Sequence, residues 1–328
     1  MSAVDTVVQP GTSTLAGRLT MPVHDTPSGR TETLNAGFNA LIDDREPFDR
    51  IRERSGGRAV LVPGLIAGLD AAWRRHGSRP WSELGGPAAH FAREGFPLSA
   101  HYRLVARSRQ EVLTRHPEGR AIFADLFDDA AAERIFRQPQ LADTLDRIGA
   151  DGADHIYQGP WAKRLVEAVG GIGGTMTLAD LSGYQARWME PMTGEYLGRQ
   201  VRVCPPLKYG GSVVLLAQAA AEALGLHRRP PRWQSADSRY GEIQAMAGVI
   251  AARGRAGAAD EIAARIRRGD FIGGPFEPPR GSHAVAAVGI DPGTDQRRAV
   301  TDPRLMGHPA AGWLPLSAAH LRPALGRL

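Results

Sequence analysis

Apolar helical segments in this chain gather before and after strand hairpins instead of alternating with single strands. That order favours an α+β layered domain over a doubly wound parallel sheet. The stretch Ala59-Val60-Leu61-Val62 reads as a strand stopped by Pro63-Gly64, and a helix follows across Gly68 to Trp73, capped near Gly77. Helices are predicted over 86–94 and 99–114, and a helical pair over 140–169. Thr177 can cap a helical turn by accepting a backbone N–H three residues on. A hairpin is read over 194–204, followed by an apolar helix over 212–224 and another over 238–253. A short helix at 262–268 and an apolar strand over 283–290 complete the pattern.

Composition narrows the class. The 328 residues are 42% hydrophobic and 23% charged, enough apolar material for a large core. The net charge of +5 rests on arginine, since Lys163 and Lys208 are the only lysines. Those arginines are mixed with acids, as in Arg50-Ile51-Arg52-Glu53-Arg54, and form no basic stripe with interleaved aromatics, so nucleic acid is not the expected partner. Cys204 is the single cysteine; it reads as a small strand residue, the other reading being a nucleophile. No apolar run approaches a membrane span, and the first thirty residues show no signal-like apolar core. The expectation is a cytoplasmic protein without a membrane partner, with residues 1–34 as a mobile arm because they offer few periodic apolar positions.

Histidines 76, 90, 101 and 116 lie on or beside predicted helices without metal-ligand pairing. The loop Gly170-Gly171-Ile172-Gly173-Gly174 lacks the Lys-Ser/Thr of a phosphate loop and has no strand before it. No metal or cofactor is expected.

A more specific signal lies in the punctuation. Val62-Pro63-Gly64 with the later Gly68-Leu69, Trp81-Ser82-Glu83-Leu84, Ala92-Arg93-Glu94-Gly95-Phe96-Pro97, Gly152 to Gly159, Thr175-Met176-Thr177-Leu178-Ala179-Asp180-Leu181 with Tyr184, Glu190-Pro191, and Pro205-Pro206 with Tyr209-Gly210-Gly211 follow one another in a fixed order. The series resembles the γ-glutamyltransferase family. The resemblance implies an N-terminal-nucleophile hydrolase fold of αββα layers, here incomplete. It also implies a proenzyme that cuts itself into large and small subunits, freeing a threonine that attacks a γ-glutamyl amide with its own amine as base. Oxyanion donors then meet the charge on the carbonyl oxygen.

By the same resemblance, Asp44-Arg45-Glu46-Pro47 looks like the family stretch whose arginine holds the glutamyl α-carboxylate, which assigns Arg45 as a bidentate clamp. The other reading of Arg45 is a solvated residue of a charged loop. Departures from the family pattern are plain. The upstream Gly-Gly-Asn-Ala helix is not found, and no Thr-Thr-His or Thr-Ser-His run with its strand and Pro-Gly-Gly-Ser stretch occurs. Instead Thr301-Asp302-Pro303-Arg304 and the following residues resemble the family's closing strand, which reads as an internal deletion. Residues 35–256 then correspond to the large subunit and 257–328 to a C-terminal strand region. A rival alignment takes Gly281-Ser282-His283 as the processing site with Ser282 as nucleophile, although it leaves no room for later oxyanion donors. Three functions stay open: an impaired γ-glutamyl amide transferase or hydrolase, a non-catalytic subunit associating with a small-subunit-like protein, and an amidohydrolase using Ser282.

Overall fold

The structure is a computed structural model, and it describes residues 2–9, 13–43, 56–127, 135–205, 209–252, 286–290 and 297–301. The chain divides into two compact units, one made of residues 1–96 with 137–276 and the other of 97–136 with 277–328.

In the first unit, strands β1 (Leu19–Asp25) and β2 (Arg30–Ala36) form an antiparallel hairpin running from Leu19↔Ala36 to Asp25↔Arg30. The short strand β3 (Arg187–Met189) pairs with the other side of β2, giving the order β1-β2-β3. As the central strand, β2 buries Leu34 and Ala36 completely and Thr33 almost so. The Thr33 hydroxyl donates to the Met189 carbonyl at 2.9 Å, so this buried polar group is satisfied across the sheet.

Residues 1–34 were expected to form a mobile arm, and the described part of that segment is instead built into the unit. Helix α1 (Ser2–Val8) buries Val7 completely, and the Gln138 amide donates to the Val7 carbonyl at 3.2 Å. The signal is faint in sequence because α1 has only 7 residues. The β2 positions that face inward at Thr31 and Thr33 are polar, which hides the strand alternation.

Helix α2 (Leu65–His76) packs on β2. A side chain at Gly68 would lie 2.5 Å from the Ala36 Cβ, so glycine permits this close helix–strand contact. Arg74, Arg75 and His76 fall in the last turn, where cations complement the helix dipole. Arg75 also contacts Glu32 at 2.6 Å and lies over the Trp188 ring at 4.7 Å.

The helical layer pairs α3 (Gly86–Glu94) with α4 (Pro139–Asp151). Ala88, Ala89 and Ala92 face Ala142, Leu145 and Ile148, all in one core cluster. Small residues on one helix admit the larger ones of the other, in helical spacing on both sides. Helices α5 (Asp154–Tyr157), α6 (Pro160–Gly171) and α7 (Leu178–Ser182) continue the layer.

The stretch 59–62, read as a strand, is a 3-10 turn at Gly57–Ala59 followed by a single bridge, Asn39↔Val62. Pro63 has no N–H with which to extend a ladder. The expected hairpin is present as β4 (Met192–Tyr196) and β5 (Arg199–Val203), its turn at Leu197 and Gly198 with φ of 52° and 74°. Helix α8 (Tyr209–Ala223) packs against this hairpin and against α9 (Ala236–Ala252), through Leu216 and Ala220 on one side and Ala245 and Val249 on the other.

In the second unit, the helix read over 99–114 is broken into Ala100–Arg107 and Gln110–Leu113. Ser99 caps the first piece by accepting the Tyr102 N–H at 3.1 Å, and Ser108 turns its hydroxyl back to the Val105 carbonyl at 2.7 Å. Such back-bonding competes with helix continuation. Phe123 stacks on Phe136 with centroids 5.8 Å apart. Strands Ala286–Ile290 and Arg297–Thr301 pair antiparallel, within and beyond the apolar strand read over 283–290.

Candidate functional site

Two anchors of the first unit converge on the connection between α6 and α7. At the start of α7, Thr177 and Asp180 form a reciprocal capping box: the Asp180 N–H donates to Thr177 Oγ1 at 3.3 Å, and Asp180 Oδ2 accepts the Thr177 N–H at 2.8 Å and its hydroxyl at 2.7 Å. The other carboxylate oxygen, Oδ1, accepts the backbone N–H of Ile42 at 2.6 Å. Asp180 is buried. Burial by itself raises its pKa, but the hydrogen bonds from Ile42 and Thr177 outweigh it and hold the carboxyl below the ordinary range.

The second anchor is backbone on backbone. The Gly57 N–H donates to the Ile172 carbonyl at 3.0 Å, and the Gly174 N–H returns to Val169 O at 2.9 Å. A Cβ on Gly57 would lie 2.6 Å from Val169 O and 2.7 Å from Gly174 Cα. Only glycine allows the two segments to cross here. The chain is thus held at Ile42 and again at Gly57 by residues of one connection.

A stacked tyrosine pair frames the same region. Tyr157 and Tyr184 have ring centroids 5.6 Å apart. The Tyr157 hydroxyl donates to the Pro63 carbonyl at 2.9 Å and accepts the Ala67 N–H at 3.2 Å, tying down the entry to α2. The Tyr184 hydroxyl donates to Gly37 O at 2.6 Å, and burial pushes its pKa up to about 12. Gly64 sits where a side chain would collide with the Tyr184 hydroxyl and would lie 2.6 Å from Gly37 O.

Arg45 and Ser282 both lie outside the described residues, so the structure brings neither to a defined position. Arg45 follows Ile42 by three residues in the sequence. Cys204 lies one residue past β5, half-buried and in no disulfide. A cavity of about 220 Å³ is lined by Ala16, Phe38, Val60, Leu61, Pro63 and Leu165. Among the described residues its lining is apolar, a poor match to a glutamyl group. Among the described residues no group of three His, Cys, Asp or Glu is placed to hold a metal, and no helix is long and apolar enough to cross a membrane. The sequence marks Thr177 as a cap; that the box partner Asp180 also reaches Ile42 is visible only in three dimensions.

The family model of gamma-glutamyltranspeptidase matches residues 1–267. The chain belongs to the gamma-glutamyltranspeptidase family. Among curated relatives it is 37% identical over 183 residues to the glutathione hydrolase proenzyme of Pseudomonas aeruginosa, covering 56% of this chain and 32% of that protein. It is 35% identical over 190 residues to glutathione hydrolase 2 of Arabidopsis thaliana, covering 58% and 32%. The chain therefore spans about a third of the length of these relatives. Among solved structures, the gamma-glutamyltranspeptidase of Pseudomonas nitroreducens complexed with L-DON superposes with a TM-score of 0.70 at 24% identity, covering 86% of this chain and 87% of that one. The gamma-glutamyltranspeptidase of Helicobacter pylori gives 0.69 at 21%, covering 85% and 84%. These likenesses show the fold, that of the N-terminal-nucleophile hydrolases, as the sequence resemblance implied. The family match begins at residue 1, so it takes in the segment read as an arm.

Proposed function

We propose that this gamma-glutamyltranspeptidase-family chain recognises the γ-glutamyl group of amides such as glutathione through Arg45, and that as written it does not turn them over alone. The observation that carries the reading is the Asp180–Ile42 hydrogen bond at 2.6 Å, which anchors the chain just ahead of the Asp44-Arg45-Glu46-Pro47 stretch. A guanidinium there suits a carboxylate because it offers two parallel hydrogen bonds. What supports the absence of turnover is that the given sequence has no Thr-Thr-His or Thr-Ser-His run. Without an activated hydroxyl the covalent route is closed, and binding with residual electrostatic effects remains.

A second reading, that the chain works with a small-subunit-like partner, is supported by two coverages. The chain matches most of the length of the solved Pseudomonas nitroreducens chain and about a third of the curated relatives. One experiment separates the readings. Release of p-nitroaniline from a γ-glutamyl anilide is measured for the chain alone and after co-expression with the small-subunit half of a relative. The expected result is no release alone, with glutathione binding intact. Release by the chain alone, lost in Ser282→Ala and accompanied by two fragments on denaturing electrophoresis, would replace both readings with the Ser282 hydrolase.

A further inference from the structure

The face of the β1–β2 hairpin turned away from α2 carries a polar cluster that the proposed function does not use. His24 and Thr31 stand opposite one another in the register and share that face, since Glu32 and Ala36, which meet α2, fall on the alternate positions. His24 Nδ1 lies 2.9 Å from the Thr31 hydroxyl. From β5, Arg202 crosses over and donates Nη1 to the same hydroxyl at 2.8 Å and to the Gly29 carbonyl at 3.2 Å. We infer that Arg202, fixed by Thr31 and flanked by His24, forms a binding site for a small carboxylate. Arg45 plays no part in it.

Donors and acceptors decide what the site can take. A guanidinium only donates, so Thr31 Oγ1 accepts from Arg202 and its own proton goes to His24 Nδ1. In the neutral imidazole that leaves the ring proton on Nε2, where it is a donor. Arg202 spends Nη1 on the protein, while its Nε and Nη2 have no hydrogen-bond partner among the described residues and the residue is exposed. Nε and Nη2 form one edge of the guanidinium, and such an edge meets the two oxygens of a carboxylate with parallel N–H bonds. The contacts at Nη1 hold the group in place beforehand, so less freedom is lost on binding. Thr193, exposed and directly across the β4–β5 ladder from Arg202, adds a hydroxyl on the same face. Asp25 interacts electrostatically with His24, but its carboxylate is engaged by the Ser28 N–H and hydroxyl, and its position alternates to the other face. Among the described residues no carboxylate pairs with Arg202, so the place of the missing anion is open to a ligand.

The test titrates the full chain with acetate and follows backbone amide NMR shifts over residues 29–31 and 201–203, with chloride at equal ionic strength as the control. Wild type is compared with Arg202→Lys, Thr31→Val and Thr33→Val. The last removes a hydroxyl on the same strand that donates to the Met189 carbonyl at 2.9 Å, and is the stability control. The expected result is a saturating shift with acetate that chloride does not reproduce. Arg202→Lys keeps the charge but loses the fork, and should weaken acetate binding by about fivefold, equivalent to about 1 kcal/mol. Thr31→Val keeps the side-chain shape but frees the guanidinium, and should weaken it by about threefold. Thr33→Val should lower the melting temperature and leave the acetate affinity unchanged. Shifts that chloride reproduces, or that never saturate, overturn the site, as does wild-type affinity in Arg202→Lys. A loss in Thr33→Val equal to that in Thr31→Val would make Thr31 a structural residue only and overturn its positioning role. Should Thr31→Val fail to fold, Arg202→Lys, changed at an exposed position, decides the matter by itself.

Discussion

Asp180 Oδ1 accepts the Ile42 backbone N–H at 2.6 Å, joining residues 138 positions apart in the chain. The same carboxylate closes the capping box at the start of α7. Because its pKa is lowered on folding, its contribution to stability is present above the unfolded value and is lost as pH falls through the folded one. The stability difference between wild type and Asp180→Asn, read from urea midpoints, should be constant from about pH 7 to pH 5 and shrink below about pH 4, near the unfolded aspartate pKa. A difference that grows with acid would contradict the assignment. Asp180→Ala should destabilise at neutral pH by about 1–3 kcal/mol, from the lost cap and the orphaned donors.

Gly57 meets Gly174 and Val169 through backbone alone. Gly57→Ala inserts a methyl against groups that cannot rotate away, and should destabilise by about 1–3 kcal/mol. Thermal unfolding should show a melting temperature lower by several degrees. A variant melting with the wild type would mean the crossing is looser than the distances imply.

Tyr157 uses its hydroxyl twice, at Pro63 O and at the Ala67 N–H. Tyr157→Phe leaves both groups without this partner and should cost about 1–3 kcal/mol, whereas Tyr184→Phe, losing one bond to Gly37, should cost about 1 kcal/mol. Because the rings stack, the double variant should deviate from additivity by about 0.5 kcal/mol or more in a chemical-denaturation cycle. Strict additivity would show that the two tyrosines act independently.

Tyr102, in the second unit, is the opposite case. Its hydroxyl is buried with no hydrogen-bond partner among the described residues, and burial pushes its pKa up to about 12. Tyr102→Phe deletes an unsatisfied group while keeping the ring, so it should be neutral or stabilising by up to about 1 kcal/mol. A loss of more than about 1 kcal/mol in urea unfolding would reveal a partner for that hydroxyl.

Several elements were legible before any coordinates. The helix at 86–94 has the bounds its sequence implies, with Gly95 closing it. The 194–204 hairpin is present, its turn at Leu197 and Gly198. Thr177 caps its helix as its position suggested. Other readings did not survive. The 99–114 helix breaks at Ser108, whose hydroxyl donates to the Val105 carbonyl, and 59–62 is a turn with one bridge. The arm read over residues 1–34 contains α1 and the β1–β2 hairpin, whose inward threonines conceal the alternation.

The sequence by itself determined the family, the kinds of element and their order, since caps, glycine breaks and apolar spacing act over a few neighbouring residues and are written locally. Tertiary structure alone decided that Asp180 reaches Ile42, that Gly57 crosses Gly174, and that Tyr157 holds the entry to α2. Each of those is a hydrogen bond or close approach between residues far apart in the chain, and its geometry exists only once the core has brought the two segments together.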